Sequence, residues 1–139
     1  MDYVSTKHIA HVLGASESWV RRMVAVKIAG DNRQCPNKGR PLLFSVQEVA
    51  ELYIAQSLRM IRVGLDTVYE AIDTFNFSPT VDVAYYSEED NESVGIYIKH
   101  QDVMITAARL WRTAYERQYH RKYASPSASM VTAPAGMLH

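Results

Sequence analysis

The sequence predicts a mainly α fold with a small β component: two tandem helix–turn–helix units with a turn-rich wing between them, then a β-hairpin and a long C-terminal helix. Three observations predict it. Apolar residues recur at helical spacing in four segments between Ser5 and Phe75, and again after Asp102. A block of turn formers over residues 29–41 separates the first pair of helices from the second. The period then drops to two in Val81, Val83 and Tyr85, and again in Val94, Ile96 and Ile98.

Each element has a local cause. Ser5 or Thr6 can cap a first helix running to about Leu13, since a side-chain oxygen there satisfies free backbone N–H groups. Ile9, Ala10, Val12 and Leu13 supply its buried face, and the small Ala10 suits a close helix crossing. Gly14 supplies the positive φ of a tight turn, and Ser16 caps a second helix with Trp19, Val20 and Met23 facing inward or sideways. The stretch Ala29–Pro41, with Gly30, Pro36, Gly39 and Pro41, excludes a helix. With Leu42-Leu43-Phe44 behind it, it reads as a hairpin wing whose second strand is short.

Ser45 caps the third helix, with Glu48 in the capping-box position, and the apolar spacing continues to about Arg62. Gly64 breaks the chain, and Leu65, Val68, Ile72 and Phe75 mark a short fourth helix. The two alternating runs enclose the acidic loop 87–93 and form the hairpin. A last helix spans about Asp102 to Tyr123, and the Ser-, Ala- and Pro-rich tail 124–139 is expected to be disordered. The expected domains are therefore 1–77, a hairpin-plus-helix unit at 78–123, and the tail.

With 139 residues, 47% hydrophobic and 22% charged, the chain suits one globular domain with an appendage. No apolar run reaches the roughly 20 residues that span a bilayer, and no signal-peptide h-region opens the sequence. A single cysteine, Cys35, excludes an internal disulfide framework and fits a cytoplasmic setting. The zero net charge hides a division. Residues 1–45 hold seven basic and three acidic side chains, 46–100 three and ten, and 101–139 five and two. The basic excess falls on the first helical pair and the wing, where a polyanion would dock.

The capped first helix with Ile9-Ala10, the turn Gly14-Ala15-Ser16, Val20-Arg21, and the wing with Arg33 and Arg40 carry a resemblance. Phe44-Ser45, Val49, Leu52, Leu58-Arg59 and Gly64-Leu65 continue it. Over residues 5–75 this order and spacing resembles the MerR-like winged helix–turn–helix family. The resemblance implies a dimeric binder of double-stranded DNA whose second helix enters the major groove while the wing holds the flanking backbone. It implies DNA-facing roles for Ser16, Glu17, Ser18, Trp19, Arg21 and Arg22 on the second helix. In the wing it implies the same for Arg33, Asn37, Lys38 and Arg40. The chain differs from many members in carrying Trp19 in place of a small hydroxyl residue and Arg22 in place of an aromatic one.

Other constellations are weaker. One cysteine cannot build a closed thiolate metal site. His8 and His11 share a helix face but lack a third ligand, so surface or backbone-contacting imidazoles are expected there and no metal or cofactor is expected. The acids at 88–92 lack calcium-loop spacing, and no phosphate loop, nucleophile elbow or carboxylate pair marks an enzyme. On the last helix Trp111, Tyr115, Tyr119 and Tyr123 recur every four residues among Arg109, Arg112 and Arg117. That stripe is expected to be core or a homodimer seam, centred on Trp111, Tyr115 and Tyr119, with a cation-flanked nucleic-acid surface as the rival reading. The expected function is that of a sequence-specific transcriptional regulator. A phage or mobile-element architectural or packaging protein, of excisionase or small-terminase type, is the alternative, and a protein-only adaptor is the third reading. No membrane partner is expected.

Overall fold

In the computed structural model, residues 3–29, 43–87 and 91–123 are described. The wing candidates Arg33, Asn37, Lys38 and Arg40, together with Cys35 and the tail 124–139, lie outside them. Along the chain run β1 (Val4–Ser5), α1 (Thr6–Leu13), α2 (Glu17–Ala25), β2 (Leu43–Phe44), α3 (Val46–Met60), α4 (Leu65–Phe77), β3 (Thr80–Ser87), β4 (Glu92–Lys99) and α5 (His100–Tyr123). The described residues are thus mainly helical, with two small antiparallel sheets, β1–β2 and β3–β4.

The helix ends follow from the sequence, with informative exceptions. Gly14 stands at φ 70°, and the Gly14 and Ala15 N–H groups donate to the carbonyls of His11 and Ala10, closing α1. The Ser16 hydroxyl accepts from the Trp19 N–H at 3.1 Å and starts α2. Ser45 and Glu48 form the expected reciprocal capping box. Ser5 behaves differently. It occupies the N-cap position of α1 but makes no side-chain cap; its Oγ lies 2.8 Å from Nδ1 of His8 instead. His8 is accordingly buried rather than a surface imidazole. The left-handed residue after α3 is Arg62 (φ 62°), whereas Gly64, expected to break the chain, is extended and leads into α4.

The second strand of the expected wing has an unforeseen partner. β2 pairs with the N-terminal β1, Val4 opposite Phe44 and Ser5 opposite Leu43, and Val4 and Phe44 are fully buried. Two residues are too few to produce a readable period, so the sequence offered only a helix cap there. The hairpin β3–β4 forms as read, with Val81 opposite Ile98 and Val83 opposite Ile96. Its base is tied to α5 by the His100 N–H donating to the Pro79 carbonyl at 2.9 Å, and the His100 ring stacks on Phe75 at 4.4 Å.

Buried residues on both sides of residue 77 share one cluster. Val81 and Val83 of β3 and Val103, Ala107 and Ala114 of α5 belong to the same buried cluster as Ile9, Val20, Leu52, Leu58 and Phe75. α5 returns along α3 and α1 to reach β1. Ala10, Ala107 and Ala114 are all at most 2% exposed, and their missing side-chain volume lets the helices approach closely.

Candidate nucleic-acid interface

α2 has two faces. Val20, Met23 and Val24 are buried, and the tight turn at Gly14 holds them against α1. Glu17, Ser18, Arg21 and Arg22 point to solvent, as does Ser16 at the cap. An exposed ion pair at 3.5 Å joins Arg21 to Glu17 one turn earlier, a weak link that a stronger partner for the guanidinium can displace. The Arg22 side chain makes no hydrogen bond or ion pair among the described residues. Chemically, the outward row offers two forked cations that can bind phosphate or a guanine edge, beside small hydroxyl donors.

Trp19 stands apart from this set. It is half-buried against the core, and the Arg59 guanidinium lies 4.9 Å from its ring centroid. With one face on the core and the other under a cation, it serves as a packing residue at the edge of the row. The sideways orientation was legible in its helical position. The partner on α3 was not, because Arg59 lies far along the chain.

The aromatic stripe of α5 divides as well. Trp111 and Tyr115 are half-buried and stacked at 5.2 Å, and the Trp111 Nε1–H donates to the Phe44 carbonyl at 3.0 Å. Trp111 therefore clamps β2. Tyr119 is 52% exposed. Next to it, Gln118 closes the ring of elements: its Oε1 accepts from the Ser5 N–H at 2.9 Å, and its Nε2 donates to the Tyr3 carbonyl at 3.4 Å.

This return of α5 creates a feature the sequence did not reveal. Lys7 and His11 of α1, Ser16 and Glu17 at the start of α2, and Arg117 of α5 line one recess of about 320 Å³. The four-residue spacing of Lys7 and His11 could have been read as a shared helix face. Arg117 could not have been placed beside them without knowing that α5 folds back. Among the described residues no group of three or more His, Cys, Asp or Glu is arranged to hold a metal ion, and no helix is long and apolar enough to cross a membrane.

No family model and no curated protein sequence matches the chain. What the molecule does is therefore read from its own geometry.

Proposed function

We propose that this chain is a winged helix–turn–helix protein that binds double-stranded DNA sequence-specifically, as a dimeric transcriptional regulator. In this reading α2 enters the major groove and residues 30–42 act as the wing. One observation carries it: a short helix, fixed by a glycine turn and buried along Val20, Met23 and Val24, presents Glu17, Ser18, Arg21 and Arg22 outward as a row. A major groove admits one α-helix, and an Arg fork on that helix matches the O6/N7 edge of guanine. The basic excess of residues 1–45 supports the same face.

Selection of bound sequences from random duplexes tests the reading directly. A dimer should enrich a near-palindrome with half-sites about one helical turn, or a multiple of it, apart. Arg21→Ala and Arg22→Ala should each weaken binding to the selected site by about 1–3 kcal/mol, while Lys38→Ala should mainly make the salt slope shallower by about 1. Unchanged gel-shift affinity in all three variants would remove this surface from consideration.

A second reading, an architectural or packaging protein of excisionase or small-terminase type, draws support from α5. Trp111 and Tyr115 are spent inside the chain, which leaves Tyr119 as the exposed member of the expected dimer seam. A DNA-bending assay on the selected site, beside promoter footprinting, separates the two.

A further inference from the structure

Reading α2 as the DNA-facing helix leaves a neighbouring cluster without a role. Lys7 and His11 stand one turn apart on α1, and Arg117 approaches them from α5 across the recess. All three are exposed, and none of their side chains makes a hydrogen bond or ion pair among the described residues. The single carboxylate in the recess, Glu17, is already paired with Arg21. Two cations and two imidazoles, counting the buried His8, thus line a shared volume of about 320 Å³, and Glu17 is the one carboxylate among the described residues that line it. Bringing like charges together costs free energy, and an incoming anion would recover it.

We propose that this recess seats a backbone phosphate of the DNA duplex, so that α5 extends the interface through Arg117. The proposal rests on the reading of α2 given above. Position favours a duplex phosphate over a free anion, because Glu17 is both a wall of the recess and the first residue of the outward row of α2. A strand whose bases faced Ser18 and Arg21 would carry its phosphates along that wall. The donors match a phosphate group, since the Lys7 ammonium has three N–H groups and the Arg117 guanidinium five, arranged as a fork that fits phosphate oxygens.

The recess is also fixed in place. Gln118, adjacent to Arg117, holds the N-terminal strand at both a backbone N–H and a carbonyl, and Ala114 is fully buried one turn earlier. Arg117 therefore projects from a helix end that is pinned to the body, so little backbone freedom is lost when it meets a phosphate.

The experiment uses the full chain with two duplexes of equal length, one carrying the selected site and one unrelated, over a series of salt concentrations. Lys7→Gln and Arg117→Gln should each make the slope of log K against log salt shallower by about 0.9, the release expected for one phosphate contact. Affinity for both duplexes should fall by the same factor, leaving their ratio intact. Arg112→Gln is the charge-matched control. It lies on α5 but about 140° around the helix from Arg117, at roughly 100° per residue, and should leave the slope as it is. All three side chains replaced are exposed, so thermal melts should match the parent. Parent-like slopes in both recess variants would overturn the proposal, and so would an equal change in Arg112→Gln. Failure of the underlying reading looks different: the parent chain would retain neither duplex at low salt, and both ideas would fall together.

Discussion

At the scale of single residues, three helices end the same way at unequal cost. α1, α2 and α3 each close with paired backbone bonds around one left-handed residue: Gly14 at φ 70°, Lys27 at φ 63° and Arg62 at φ 62°. Glycine adopts that conformation freely, whereas a side chain costs about 1–2 kcal/mol there. A Cβ built on Gly14 meets nothing within 4 Å, so Gly14→Ala isolates the backbone effect. It should lower stability by about 1 kcal/mol, read as a smaller urea midpoint with an unchanged m-value. Lys27→Gly should move the midpoint the other way by less, because the added freedom of glycine in the unfolded chain offsets part of the relief. Two parent-like midpoints would mean that these turns relax at no cost.

At the scale of elements, α3 and α4 are joined by an unusual link. Glu51, only 5% exposed, accepts from the Asn76 amide at 3.1 Å, and Gln47 donates to the same Asn76 at 2.8 Å. A buried carboxylate is costly unless hydrogen-bonded. Asn76→Ala should therefore destabilise by about 1.5 kcal/mol, the low end for a bond to a charged group. Gln47→Ala, which touches only the exposed end of the chain of contacts, should cost much less. Equal losses in a denaturation series would show that the link acts by packing instead. Glu51 also marks a limit of sequence reading. Its helix was legible from Ser45, Glu48 and the spacing of Val49, Leu52 and Leu58, but a charge on a helix covered by α4 and α5 looks like a solvent-facing residue until those neighbours are known. The hairpin was legible for the opposite reason: Val81, Val83, Ile96 and Ile98 carry their pairing in their own period. β1, with two residues, carries none. For the candidate interface, the bounds of α2 followed from Gly14 and Ser16 and its outward row from the family resemblance, whereas the recess needed Arg117 brought from a distant part of the chain.

At the scale of the whole molecule, the hairpin and α5 complete the body rather than hang from it. Removing them would strip Val81, Val83, Val103, Ala107 and Ala114 from the core and take the Trp111 bond from Phe44. A fragment of residues 1–77 should keep helical far-UV dichroism yet lose a cooperative melt, while residues 1–123 should melt as the full chain does. A cooperative transition of the short fragment at the parent temperature would restore two independent units.

The Gln118 contact with Tyr3 and Ser5 joins residues more than a hundred positions apart. On a ribosome that emits the chain from its N-terminus, the first strand emerges early and waits for its partner until nearly all of the helical body has been made. α1 and α2 can pair while synthesis continues, but the surface that includes Arg117 comes into being last. A nascent chain stalled before Arg117 would thus carry the outward row of α2 without the recess that flanks it.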